Sequence, residues 1–313
     1  MKKILITGGC GFVGTNLTKL LLKKRYKVTV IDTQWFGNYL PKHKNLTIIK
    51  KDIRTINKLH FDKVHTVFHL ASISNDPSSE LNPKLSWEVG PLATFRILEI
   101  CKEKKVRNFI FASSGSVYGI SKKKKVDENT KLIPISDYNK QKMVVEKLIE
   151  NYSKFFRTVI VRPATVCGYS PRLRLDLSVN LLTYQAYKNK IINVFGGNQI
   201  RPNIHIDDMV SLYHFLLENN DVRGTFNAGF ENLSIKSIAK NIKKHIKCKL
   251  KVSKSNDLRS YRLDSSKLLS TGYKPKKNVE IAIKEMLKFF KEKKYISTKN
   301  NINLQKMQNL EIK

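Results

Sequence analysis

Lys3-Ile4-Leu5-Ile6-Thr7-Gly8-Gly9-Cys10-Gly11-Phe12-Val13-Gly14 opens the chain and decides how the rest of it is read. The apolar run at positions 3–6 has the texture of a strand buried on both faces. It feeds into glycines at 8, 11 and 14 and then into an amphipathic helix from Asn16 to Lys24. A second strand, Lys27-Val28-Thr29-Val30-Ile31, follows and ends on Asp32. Glycine permits positive φ in such a turn and lets backbone N–H groups close on a pyrophosphate at a helix N-terminus. Asp32 lies 21 residues past Gly11, near the spacing of about 20 at which an acid holds an adenosine ribose. The glycine spacing alone is weak, since a tight strand-to-helix turn asks for no more. Strand, glycines, helix, strand and acid in that order make a dinucleotide site of Gly8, Gly11, Phe12, Val13, Gly14 and Asp32.

Outward from this start, strands are expected at Leu46–Ile49, Thr66–His69, Asn108–Ala112 and Thr158–Val161, with helices at Pro91–Lys104 and Asp137–Phe156. Strand–helix alternation predicts an α/β fold with a doubly wound parallel sheet and right-handed crossovers. Gly90-Pro91 predicts a kink or a helix start. Beyond Val161 the texture changes. A turn-rich segment, Arg162–Asp176, precedes helices at Ser178–Asn189, after a cap at Asp207-Asp208, at Ser234–His245 and at Val279–Glu292, with a strand near Asn203–Ile206. The expected organisation is a dinucleotide domain over 1–162, rejoined by 203–224, and a smaller mixed α/β substrate lobe from 163–202 and 225–292. The polar stretch 293–313 reads as a flexible tail.

Composition narrows the class. With 313 residues and 41% hydrophobic content the chain can bury a substantial core. No apolar run approaches the ~20 residues of a membrane span, and no leader precedes the first strand, so a cytoplasmic protein without membrane partners is expected. Cys10, Cys101, Cys167 and Cys248 are widely spaced and accompanied by no histidine cluster, so neither a metal site nor a disulfide framework is expected. The net charge is +34, and arginine supplies only twelve of the 59 basic residues. Lysine spread along the whole chain, including the run at Lys122–Lys125, argues against a dedicated nucleic-acid face, which concentrates charge and interleaves arginine with aromatics.

Tyr138 and Lys142 stand one helical turn apart. The same spacing recurs at Tyr118/Lys122, Tyr184/Lys188, Tyr273/Lys277 and Tyr295/Lys299, as lysine abundance dictates. Context separates the first pair. Pro134-Ile135-Ser136-Asp137 supplies turn and cap residues, and Ser113-Ser114 ends the strand Phe109–Ala112, at the edge where open α/β sheets bind ligands. Removing a proton from a sugar hydroxyl needs a base, and a free phenol, with a pKa near ~10, is too weak. A neighbouring ammonium favours the phenolate, and Ser114 can hold the reacting hydroxyl. Ser114, Tyr138 and Lys142 are therefore the catalytic candidates.

Taken together, these residues resemble the extended short-chain dehydrogenases/reductases, in their sugar-nucleotide epimerase/dehydratase branch, over residues 1–290. The resemblance rests on the glycine loop, His69-Leu70-Ala71, Ser113–Gly119, Tyr138 with Lys142, Arg201–Asp208, Arg259–Asp264 and Gly272-Tyr273-Lys274-Pro275. It implies a Rossmann sheet, with Asp52 and Ile53 beside the adenine, Leu70 and Ala71 along the cofactor, and Lys142 on the nicotinamide ribose. Arg201 and Arg259 would hold a nucleoside diphosphate sugar by its pyrophosphate, with Arg172 and Arg174 as further candidates. Ser74, Ser116, Thr165 and Asn180 complete the implied substrate set. A homodimer pairing the helices at 91–104 and 137–156, and a role in surface polysaccharide sugars, are also implied.

Departures from the family pattern matter as well. Dehydratase members carry an acid after the catalytic hydroxyl, where this chain has Gly115 and Ser116, so dehydration is disfavoured. Thr165 and Gly90 occupy positions where relatives have Asn. A carboxylate at Asp32 accepts ribose hydroxyls and repels a 2′-phosphate, and Thr33-Gln34-Trp35-Phe36 offers no arginine, so NAD is expected over NADP. The expected function is NAD-dependent oxidation at C4 of a nucleoside-diphosphate sugar, as 4-epimerase or 4-dehydrogenase. The alternatives are a 4-keto-sugar reductase, or a nucleotide-sensing or RNA-binding protein that kept the fold without the chemistry.

Overall fold

A computed structural model describes residues 2–120, 123, 125–254 and 260–310. Its strands, in chain order, are β1 (Lys3–Thr7), β2 (Lys27–Asp32), β3 (Leu46–Lys50), β4 (Val64–His69), β5 (Asn108–Ala112), β6 (Arg157–Pro163), β7 (Thr165–Cys167), β8 (Ile191–Phe195), β9 (Ile200–His205), β10 (Gly224–Ala228), β11 (Glu231–Ser234) and β12 (Lys249–Ser253). The helices are α1 (Phe12–Lys23), α2 (Asp76–Leu81), α3 (Pro83–Trp87), α4 (Ala93–Glu103), α5 (Asp137–Tyr152), α6 (Ser178–Asn189), α7 (Ile206–Glu218), α8 (Ile235–Lys243), α9 (Ser266–Leu269), α10 (Val279–Glu292) and α11 (Asn303–Gln308).

Seven parallel strands form the main sheet in the order β3-β2-β1-β4-β5-β6-β10. The order reverses between β1 and β4, the switch point outside which ligands bind in doubly wound sheets. Ile4, Leu5 and Ile6 are fully buried because helices cover both faces, which is why β1 reads as an unbroken apolar run. One core, around Leu17, Val30, Phe68 and Tyr213, lies under α1 and α7. Another, around Ile97, Phe109, Ile149 and Phe156, lies under α4 and α5.

Helix α5 begins where the sequence places it because the Ser136 side chain accepts the Asn139 N–H at 3.3 Å. The Gly90-Pro91 interruption takes the form of a π-helical turn, Glu88–Leu92, between α3 and α4. Proline lacks an N–H to donate, and a widened turn accommodates that loss without ending the helix.

The smaller lobe carries a three-stranded sheet, β11-β9-β7, and a parallel pair, β12-β8, packed on α6, α8 and α10. Three expectations need correcting. The return to the main sheet runs through β10 to Ala228, while β9 joins the small sheet, because β10 pairs in parallel with β6 and β9 with β7 and β11. Asp207 and Asp208 lie inside the first turn of α7, where the His205 ring accepts the Asp207 N–H at 3.0 Å and so acts as the cap. The stretch read as a loose tail is folded. Lys299–Asn301 forms a 3₁₀ turn and Asn303–Gln308 forms α11, with Asn301, Asn303 and Met307 buried. Among the described residues no helix is long and apolar enough to cross a membrane.

Candidate active site

A cleft of about 510 Å³ opens at the carboxyl ends of β1, β4 and β5. Its floor is the glycine loop. Gly8 has φ +77°, and a Cβ there would lie 2.7 Å from the Ala71 nitrogen. A Cβ on Gly14 would lie 2.2 Å from the Gly8 carbonyl oxygen, so only glycine lets the helix start this close to the strand. No side chain caps α1, whose first-turn N–H groups are left for an anion. The Asp32 carboxylate accepts the N–H groups of Cys10 (2.9 Å) and Gln34 (2.7 Å), tying the loop after β2 to the glycine loop. Burial pushes that carboxyl above its ordinary value, against the pull of those two bonds. Phe12, Val13, Asp52, Ile53, Leu70 and Ala71 line the same cleft. Asp52 is held by the Arg54 guanidinium, which also bonds Glu88 at 2.6 Å.

Ser114, Tyr138 and Lys142 line the same cleft. Tyr138 hydrogen-bonds Ser114, and the Ser114 and Ser116 hydroxyls are 2.7 Å apart. Ser116 in turn donates to the Asn139 carbonyl, whose amide nitrogen donates to Asp76 at 3.3 Å. The expected depression of the phenol by Lys142 is not what this geometry delivers. Burial pushes the Tyr138 phenol up, and the Ser114 bond and the Arg174 charge oppose it only in part. The Lys142 ammonium lies 5.8 Å from the Tyr138 ring centroid and donates to the Ala112 carbonyl at 2.7 Å. Burial pushes its pKa down to about 7, with Glu146 pulling the other way.

The competing tyrosines are occupied elsewhere. Tyr118 donates to Asn227, Tyr184 accepts the Ser297 N–H, Tyr273 donates to the Asp208 carbonyl, and Tyr295 donates to Asn301. None of the four lines the cleft; Lys122 lies outside the described residues.

Ser74, Ser116, Thr165, Arg172, Arg174 and Arg201 all face the cleft. Asn180 does not. It is fully buried, and its amide bonds Gly168 N–H, Gly168 carbonyl and Arg174 carbonyl at 2.9, 3.2 and 2.9 Å, which makes it a brace for the loop rather than a ligand contact. Arg174 forms a two-point pair with Asp176. Arg172 is 3% exposed and stacks 4.1 Å over the Phe36 ring, on the Asp32 side of the cleft. Arg201 and Tyr261 line the same cleft. Arg259 lies outside the described residues.

The model of the NAD dependent epimerase/dehydratase family matches residues 4–229. The chain belongs to this family. An uncharacterized UDP-glucose epimerase of Bacillus subtilis is 36% identical over 226 residues, covering 66% of this chain and 70% of the relative. A putative UDP-glucose 4-epimerase of Methanocaldococcus jannaschii is 29% identical over 300 residues, covering 92% and 98%. The solved UDP-glucuronic acid 4-epimerase of Bacillus cereus, in complex with UDP-glucuronic acid and NAD, superposes with a TM-score of 0.81 at 29% identity, covering 93% and 99%. The cofactor is NAD, and the glycine cradle, uncapped α1 and buried Asp32 fit it. As a family member the chain is an enzyme of the NAD-dependent sugar-nucleotide class.

The site also depends on residues that sequence reasoning did not single out. Glu146, fully buried one turn beyond Lys142, accepts from Arg162 at 3.0 and 2.6 Å and from the Ser113 hydroxyl. This ion pair anchors the middle of α5 to β5 and β6. The i, i+4 spacing of Lys142 and Glu146 was available as a signal. Asp76 at the start of α2 accepts from Ser136 and Asn139, and so joins α2 to the N-terminus of α5. Asn301 and Asn303 arrive from the tail, and nothing local in that stretch announces them.

Proposed function

We propose that this family member is a 4-epimerase of a nucleoside-diphosphate sugar, with UDP-sugars the first candidates, acting in the supply of activated sugars for surface polysaccharide. The observation that carries the reading is the convergence of Tyr138, Ser114 and Lys142 on the cleft floored by the glycine loop. Bound NAD supplies a reversible hydride acceptor and a positive charge beside the phenol. Tyr138 takes the proton of the sugar 4-hydroxyl and later returns it, which makes it general base and then general acid. Ser114, already bonded to Tyr138 and Ser116, fixes the direction of that hydroxyl. Lys142, anchored on the Ala112 carbonyl, would hold the cofactor's ribose, and in its protonated form it sets a positive charge near the phenol. A 4-dehydrogenase uses the same proton path and differs in releasing the ketone. Gly115 and Ser116 supply no acid or base for eliminating water, so dehydration is the disfavoured outcome.

Support for a homodimer comes from Phe95 on α4, Leu92 just before it and Phe155 just after α5, which are 50%, 64% and 47% exposed. Apolar side chains there suit pairing with a second copy. A monomer in sedimentation at micromolar concentration would remove that part of the reading.

The decisive test is turnover on a panel of UDP-, GDP-, CDP- and dTDP-sugars. Tyr138→Phe should lower kcat by about 10²–10⁴-fold while NAD stays bound. Near-normal turnover by the variant would show that the base is another group.

A further inference from the structure

We propose that Arg172, positioned by Asn303 of the C-terminal segment, binds the pyrophosphate of the dinucleotide and so makes cofactor retention depend on the end of the chain. This rests on the NAD site described above and adds a contact from the opposite lobe.

The loop carrying Arg172 is pinned to the first turns of α1. The Ser170 hydroxyl donates to the Phe12 carbonyl at 2.8 Å, and the Asn16 amide donates to the Tyr169 carbonyl at 3.1 Å. Arg172 follows two residues later and stacks on Phe36, whose loop is tied through Asp32 to Cys10. The guanidinium is thereby held on the cofactor side, with the uncapped helix start beneath the same loop. Its Nη2 donates to Asn303 Oδ1 at 2.5 Å. Nε and Nη1 are buried and find no partner among the described residues. A buried charged donor left unmade is costly, and two on one side chain beside an open cleft call for an anion. The helix N-terminus favours the same sign of ligand. A diphosphate presents several oxygens to a guanidinium fork and suits it better than a single carboxylate.

Asn303 is the positioning residue. Besides accepting from Arg172, it donates to the Ser74 hydroxyl at 3.1 Å, and its backbone N–H reaches Asp176 at 3.3 Å. Asn301 closes the same loop, accepting the Leu175 N–H at 2.8 Å and donating to the Leu173 carbonyl at 3.1 Å. Met307 anchors the segment in the same apolar core that holds Ile73.

The test is equilibrium binding of NAD, ADP-ribose, adenosine and NADP to the full chain and to Arg172→Met, Arg172→Lys and Asn303→Ala, each shown to be folded by its melting transition. Arg172→Met should weaken NAD and ADP-ribose about 10- to 100-fold, as losing a charge-assisted pair does, and leave adenosine within about twofold. Arg172→Lys should recover part of the loss. Asn303→Ala should weaken the same two ligands by a smaller factor, and the double variant should bind no worse than Arg172→Met alone, the coupling expected of one residue acting through another. ADP-ribose bound equally by wild type and Arg172→Met would overturn the assignment. So would a loss confined to NADP, which would place the guanidinium at the 2′-phosphate, or one confined to the KM for the sugar nucleotide, which would place it on substrate. A wild-type chain that bound neither NAD nor ADP-ribose would instead overturn the NAD site itself.

Discussion

Around the glycine loop and helix α5, several of the bonds that fix the site join residues near one another in the chain. Cys10 reaches Asp32 across 22 positions, Lys142 reaches Ala112 across 30, and Arg162 reaches Glu146 across 16. Around the loop that carries Arg172 they span the molecule. Ser170 reaches Phe12 across 158 positions, Asn303 reaches Arg172 across 131, and Asn303 reaches Ser74 across 229. One wall of the cleft is set by backbone geometry and short connections between adjacent strands. The opposite wall is set by polar side chains that both lobes and the tail bring together. The first kind of site can be damaged by one misplaced methyl or charge; the second can be loosened without losing the fold.

Four substitutions separate those two behaviours. The largest effect belongs to Glu146→Gln, which leaves Arg162 charged, buried and without its carboxylate. It should cost about 3–5 kcal/mol of stability, read as the shift of a denaturant midpoint, and an unchanged midpoint would mean the pair does not anchor α5. Next comes Gly14→Ala. A Cβ 2.2 Å from the Gly8 oxygen forces the loop off the helix, at about 1–3 kcal/mol for overpacking, and NAD binding measured by calorimetry should fall at least tenfold. Asn301→Ala should cost less, about 1–2 kcal/mol for the Leu173 carbonyl and the Thr298 N–H it leaves unmet. It should leave the main sheet intact, with faster hydrogen exchange confined to residues 172–176 and the tail. If exchange rose equally across β1–β6, the two walls would not be separable.

The fourth effect is a slope with pH rather than a single shift. Burial holds the Lys142 pKa near 7, against about 10.4 in an unfolded chain. Between those values the unfolded chain keeps a proton that the folded chain has released, so this group adds stability as pH rises through that window. Below about pH 7 both states carry the proton, and the cost of burying the ammonium is felt in full. The melting temperature of the wild type minus that of Lys142→Met, both free of cofactor, should climb between about pH 7 and 10. A flat difference would place the ammonium in a better-solvated setting than the Ala112 carbonyl and the Phe111 face provide.

Much of the first wall was legible. The glycine spacing, the acid after the second strand and the serine pair after Ala112 each carry a local reason, because backbone conformation and strand ends follow from near neighbours in sequence. Tyr138 could be chosen among five equivalent spacings because cap residues preceded it and the Ser113-Ser114 strand end accompanied it, and the structure places the other four phenols outside the cleft. The second wall was legible in residue type alone. Arg172, Arg174 and Arg201 were recognised as cations suited to phosphate, but nothing local distinguished the cofactor side from the substrate side. Asn180 looked like a substrate contact and is a brace for its own loop. The tail misled most. Polar composition argues against a core, yet Asn301 and Asn303 are buried because other segments supply the acceptors and donors they need.

By itself, the sequence determined that a parallel sheet would form, where its glycine turn would lie, and which phenol and ammonium would stand one turn apart on one helix. Those outcomes depend on strand burial, glycine's missing Cβ and the 3.6-residue turn, all properties of contiguous chain. Only the tertiary structure decided which arginine stacks on Phe36 on the Asp32 side of the cleft, that burial raises rather than lowers the Tyr138 phenol, and that the chain's end packs against the loop carrying that arginine. Desolvation and long-range hydrogen bonding depend on what surrounds a group in space, and residues more than a hundred positions apart supply those surroundings.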